Sequence, residues 1–171
     1  FPTRRSAELI LTVCTDVIIR RAQRLGRRQP TGRLWPPLTP VLDEVTNIAP
    51  LPELPSMISD TGGRGIELHL FAQSEAQVIA TWGKEGAGTI FENCAIEYYL
   101  PGIKSNEHRK TLSERTTRYR AIREAGSSSE SGSSSSWSTE WDHAMSPQDI
   151  QEMELGQALL FNQLLGAVLG V

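Results

Sequence analysis

Two adjacent carboxylates, Asp43 and Glu44, close a short apolar run at Val41-Leu42. An apolar strand ending in Asp-Glu is the pattern of a Walker B motif. There the first carboxylate holds the Mg2+ of a nucleoside triphosphate, often through water, and the second polarises the attacking water. Two residues specify little by themselves, and a solvated strand end is the competing reading. Gln73 closes the next run, Ile66 to Ala72, which alternates apolar and polar before turning wholly apolar, as a strand does on entering a sheet. Neighbouring parallel strands present their carboxyl ends side by side, where ligands bind in α/β sheets. A glutamine at that end is placed to sense a γ-phosphate or to orient water.

The elements that must hold these groups are legible in the periodicity. Ala7, Ile10, Cys14, Val17, Ile18, Ala22 and Leu25 recur at helical spacing, which predicts a helix over Ala7 to Leu25 with Ser6 as N-cap and Gly26 as stop. Arg20, Arg21, Arg24, Arg27 and Arg28 crowd its last turns, suiting the negative end of the helix dipole, with a DNA-facing patch as the alternative. A proline-rich loop, Gln29 to Pro37, leads to the Val41-Leu42 strand. Further helices are expected over Leu54 to Ser59, Ala76 to Trp82 and Ala87 to Asn93, the last two broken at Gly83, with a third strand over Ala95 to Leu100. This alternation of strands and helices predicts an α/β architecture with parallel pairing. Beyond it, Glu114 to Arg123 fits an exposed strand, Ser146 with Asp149 a helix start, and Ala158 to Phe161 a last apolar strand. Gly126 to Ser136 is almost pure Ser and Gly, too polar to bury, and predicts a flexible hairpin loop within one domain.

Composition sets the outer limits. At 171 residues and 39% hydrophobic, the chain suits a single core. With 17 basic and 20 acidic side chains the net charge of -3 provides no overall field toward nucleic acid or an anionic membrane. Cys14 and Cys94, 80 residues apart with no CxxC, exclude a disulfide scaffold or a thiolate zinc site, fit a reducing cytosol, and read as buried inert thiols. His69, His108 and His143 lack metal-ligand spacing. No apolar run approaches the roughly 20 residues of a membrane span. The opening at Phe1 rather than Met is expected of a fragment.

Five motifs in order are more specific than any one of them. Val41-Leu42-Asp43-Glu44-Val45-Thr46-Asn47-Ile48, Leu51-Pro52-Glu53-Leu54-Pro55, Gly63-Arg64-Gly65-Ile66, Gln73-Ser74 and Gly83-Lys84-Glu85-Gly86-Ala87 together resemble the C-terminal half of the TraG/TraD-type coupling proteins of conjugative type IV secretion. The resemblance extends over Asn93-Cys94-Ala95, Leu100-Pro101-Gly102, the Ser-rich tract, Ser146-Pro147-Gln148-Asp149 and Gly156-Gln157-Ala158-Leu159, and so over essentially residues 1–171. It implies part of a RecA-like P-loop ATPase domain, a mostly parallel sheet with flanking helices and a C-terminal β-hairpin. It also implies a homo-hexamer at the cytoplasmic face of the bacterial membrane, driven by ATP and Mg2+, that delivers single-stranded DNA and its bound relaxase to the secretion channel. On that basis Asp43 would hold the metal and nucleotide, and Glu44, Gln73 and Arg64 would be the catalytic residues. Arg64, set among glycines, reads as an arginine finger reaching a neighbouring subunit or as a loop arginine paired with Asp60 or Glu67.

The chain also departs from the family pattern. No G-x-x-x-x-G-K-[ST] occurs, so the phosphate cradle is expected in upstream sequence and this segment alone is not expected to hydrolyse ATP. Pro40 stands where an apolar strand residue is usual, which predicts either a strand beginning at Val41 or an impaired copy. Gly166-Ala167 replaces an expected Pro-rich connection. Trp82, Trp137 and Trp141 fit base stacking or packing, and Lys104, His108, Arg109 and Lys110 a solvated helix face or a DNA contact. The rival function is a non-catalytic adaptor that docks a relaxosome accessory protein.

Overall fold

The computed structural model describes residues 4–129, 132–163 and 166–170, with side chains outside 4–5, 123–138 and 168–169. Two compact units divide at Cys94 and Ala95. The first holds α1 (Arg4–Arg28), β1 (Val41–Leu42), α2 (Leu54–Thr61), β2 (His69–Leu70) and α3 (Glu75–Asn93). β1 and β2 are parallel, with Val41 opposite His69 and Leu42 opposite Leu70. Backbone bonds extend this pairing from Leu38 N–H on Gly65 O to Val45 N–H on Phe71 O. Pro40 sits one residue before β1, where its carbonyl accepts from His69 N–H while its ring nitrogen has no proton to give. The regular strand begins at Val41, and Pro40 leaves the ladder before it one donor short.

The core of this unit is Ile19, Val45, Leu51, Leu54, Met57, Val78, Ala87 and Ile90. Trp82 packs on it and donates its indole N–H to Leu51 O at 2.7 Å, so it is a packing residue. α3 breaks at Gly83, whose φ of 72° and ψ of 171° lie outside the helical region, as the sequence predicts.

Helix α1 differs from expectation in the face it buries. Ile19, Ala22 and Gly26 point inward, while Ile10, Val17, Ile18 and Leu25 are exposed together with Leu9, Leu11 and Val13. At 100° per residue the packed face is turned roughly 100° from the apolar stripe, the two sharing only Ala22. The close seat is at Gly26, where an added Cβ would stand 2.9 Å from Arg64 O. Gly26 is thus a contact point within α1 and not its stop, and the rotation that brings it to Arg64 carries the apolar stripe outward. Cys14, on that stripe, is exposed and not buried.

The second unit holds β3 (Ile96–Tyr99), α4 (Asn106–Arg115), β4 (Arg118–Ser129), β5 (Gly132–His143), α5 (Pro147–Gln151), β6 (Ala158–Asn162) and β7 (Gly166–Gly170). Its sheets, of order β3-β6-β7 and β4-β5, are antiparallel throughout. The expected mostly parallel sheet is therefore corrected: among the described residues only β1 and β2 form a parallel strand pair. The reason is visible in β3, where exposed Ile96 and Tyr98 alternate with half-buried Glu97 and Tyr99. A strand covered on one face suits antiparallel pairing, whereas parallel strands are usually covered on both. Gly166–Gly170 forms a strand that the sequence reading did not place.

Leu112, Ile150, Met153, Leu159 and Phe161 form this unit's core. Ser146 and Asp149 cap α5 reciprocally, as expected. Glu97 accepts from Arg115 at 2.6 Å, and the Arg115 guanidinium lies 4.1 Å over the Phe161 ring. Burial, then the neighbouring Glu97 carboxylate, pushes the Tyr99 hydroxyl well above the usual phenol range.

The Ser/Gly tract is not a structureless loop, because Gly126 to Ser129 pair with Ser135 to Gly132 in the β4-β5 ladder. Serine pairs add little to such a ladder, and loop closure varies slowly with length. Deleting the facing residues Ser127, Ser128, Ser133 and Ser134 preserves register and is expected to change stability by less than about 1 kcal/mol in urea unfolding. A larger loss would show that the tract packs on other structure.

Candidate functional site

The left-handed backbone of Glu44, with φ at 47°, ends the β1 side of the ladder. It opens a turn in which Glu44 O accepts from both Asn47 and Ile48 N–H, at 2.8 and 2.9 Å. A non-glycine residue in this region is uncommon and is kept there by surrounding bonds. The adjacent Val45 N–H anchors the turn on Phe71 O. Asp43 is exposed and accepts the Glu44 N–H on Oδ1 at 3.1 Å.

At the matching end beyond β2, Gln73 donates its Nε2 to Glu44 Oε1 at 2.5 Å. The parallel register therefore brings Glu44 and Gln73 together, the pair that the strand-end argument selects. Ser74 then caps α3, accepting from Gln77 N–H. Two residues that the sequence reading passed over complete the arrangement. Gln77 Nε2 donates to Gln73 Oε1 at 3.2 Å, and Thr46 Oγ1 donates to Gln77 Oε1 at 3.4 Å. The signal for Gln77 was present as Ser74-x-x-Gln77, the spacing of a capping box. Ser74 forms its half of that box, and the glutamine side chain turns to Gln73.

Arg64 stands elsewhere. It closes a short 3-10 turn, Gly62–Arg64, at the opposite end of the ladder, and roughly 17 Å of extended chain separate Ile66 from Phe71. Its Nε contacts Asp60 Oδ1 at 3.1 Å, and Arg27 holds the other Asp60 oxygen at 2.8 Å. Hydrogen bonding from Arg27, assisted by Arg64, keeps the Asp60 carboxyl below its usual range. Gly65 follows with φ at 72°, against Leu34 O, where any side chain would collide. Within its own chain Arg64 thus makes the local pairing and does not share a site with Gln73.

Among the described residues no group of three or more His, Cys, Asp or Glu is gathered to hold a metal. A divalent cation at Asp43 would take its remaining ligands from water and phosphate oxygens, which is the habit of Mg2+ with nucleotides. The donor set of one exposed carboxylate beside a second carboxylate and an amide fits that use. Of the tryptophans, Trp141 is exposed with Arg120 5.8 Å from its ring centre, and the Trp137 side chain lies outside the described residues. In the basic cluster Arg109 donates to Ile103 O and Lys104 O, binding its own loop. No helix of the described residues is long and apolar enough to cross a membrane.

A comparison with curated proteins finds no match. Among solved structures, the bacterial conjugative coupling protein TrwBdeltaN70 in an unbound monoclinic form aligns over 97% of this chain at a TM-score of 0.72 and 16% identity. The trigonal form of that protein in complex with sulphate gives 0.73 at 15% identity over the same share. The plasmid coupling protein TrwB in complex with ADP and Mg2+ gives 0.68 at 13% over 96%. The chain spans 37% of the length of each of these proteins, and at such identities the likeness establishes a shared fold. The family described as the TraM recognition site of TraD and TraG matches residues 37–155. Since that match takes in the strand ends with Asp43, Glu44 and Gln73 and runs on through the hairpin, the chain belongs to this TraG/TraD family.

Proposed function

We propose that this chain is the hydrolytic-carboxylate part of a conjugative coupling protein, a RecA-like motor that uses ATP and Mg2+ to deliver single-stranded DNA and its relaxase to a type IV secretion channel. The observation that carries this reading is the Glu44–Gln73 pair at the matched ends of two parallel strands. The nucleotide complexes of the similarly folded TrwB support it. Mg2+ supplies charge neutralisation at the phosphates, and Asp43 is the residue here that would hold it, directly or through water. Gln73 occupies Glu44 Oε1, which leaves Oε2 to take a proton from water as general base. Arg64 enters only across a subunit boundary in a homo-hexameric ring at the cytoplasmic membrane face, because in its own chain it stands at the far end of the ladder.

A second reading is favoured by the family description itself, a recognition site for TraM. The chain then also docks a relaxosome accessory protein. Asp43→Asn in the intact coupling protein separates the two. The motor reading expects Mg2+-dependent ATP turnover to fall about 10²-fold, in the range seen when one charge-stabilising group is lost. Undiminished turnover would leave the adaptor reading alone.

A further inference from the structure

We infer that Gln77 is a positioning residue that orients the Glu44–Gln73 pair, acting through Gln73 and steadied by Thr46. The inference rests on the proposed hydrolytic role of Glu44 and deepens it. An ionised carboxylate only accepts hydrogen bonds, whereas a glutamine amide donates at one end and accepts at the other. With Glu44 Oε1 taking Gln73 Nε2, the Gln73 oxygen must face away, and there it meets Gln77 Nε2 at 3.2 Å. The Gln77 oxygen is turned in the same sense and receives the Thr46 hydroxyl at 3.4 Å. The three donors thus run in one direction, from Thr46 to the carboxylate.

The two ends of the relay differ in freedom. Gln73 is exposed and Glu44 is half-buried, as is Gln77 in the first turn of α3, whereas Thr46 is buried beside Val45. Thr46 is thus the most buried member of the relay. Without Gln77, the Gln73 amide keeps only its bond to Glu44, and its side chain loses the second anchor that holds it at the carboxylate. The bond from Gln77 Nε2 holds the Gln73 oxygen on the side away from Glu44.

The test uses Gln77→Ala and Gln77→Glu, each alone and with Gln73→Ala. Gln77→Glu places a second acceptor against the Gln73 oxygen and inverts the required amide. In the intact coupling protein kcat is expected to fall about 10-fold for Gln77→Ala and further for Gln77→Glu, with KM for ATP unchanged. In the Gln73→Ala background neither change should lower kcat further, since Gln77 acts only through Gln73. Equal losses in both backgrounds would overturn the inference, as would a raised KM with kcat intact. A second measurement does not depend on hydrolysis: the side-chain amide resonances of Gln73 in the chain should be displaced by Gln77→Glu. Resonances that stay in place overturn the relay. Intact turnover in Glu44→Gln refutes the hydrolytic reading instead, and the amide resonances still decide the relay.

Discussion

Glu44→Gln in the intact coupling protein is expected to cut ATP turnover by about 10²- to 10⁴-fold, the usual contribution of a positioned general base. The amide preserves the shape of the carboxylate and can still meet Gln73 across the strand ends, but it cannot accept a proton from water. Nucleotide affinity by calorimetry should therefore stay near that of the parent protein, so the loss falls on kcat and not on KM. The left-handed backbone at Glu44 is held by bonds from Asn47, Ile48 and the neighbouring Val45, none of which involves the side chain. The substitution consequently tests chemistry without disturbing the turn. Turnover at the parent level would remove Glu44 from the mechanism, and loss of nucleotide affinity would make it a binding residue.

The largest expected effect on stability is at Leu54. This side chain is fully buried where α2 begins, in the core shared by Ile19, Val45, Leu51 and Met57. Leu54→Ala removes three buried carbons and leaves a cavity that close-packed neighbours fill only in part, a cost of about 2–5 kcal/mol. Leu155→Ala is the matched control, since Leu155 is 97% exposed and its truncation should change stability by less than about 0.5 kcal/mol. Urea unfolding followed by tryptophan fluorescence measures the first, with Trp82 the indole that packs on the same core. Similar losses for the two variants would contradict the packing described.

Local signals in the sequence located most of the elements, and long-range ones were harder to read. The Gly83 break, the Ser146–Asp149 cap and the strand ends at Glu44 and Gln73 each follow from a few adjacent residues. By contrast, the apolar stripe of α1 gives a face but not the partner, and the seat at Gly26 depends on Arg64, 38 residues away. The alternation of strands and helices suggested parallel order through β3, but exposure of Ile96 and Tyr98 on one face permits the antiparallel partner that β6 supplies. The spacing of Gln77 implies a cap, whereas its side chain turns to Gln73. A glutamine near a helix start is ordinary; its value comes from Gln73 and Thr46, which only the fold brings near.

The outward stripe of α1 also has a thermodynamic signature. Leu9, Ile10, Val13, Val17 and Ile18 are each between 52% and 65% exposed, so their hydrocarbon is in contact with water along about two and a half turns of helix. Hydrated apolar surface carries excess heat capacity, which is given up when the surface is covered. Any surface that closes over this stripe must therefore lower the heat capacity of the system, and the enthalpy of that closure will grow more favourable as temperature rises.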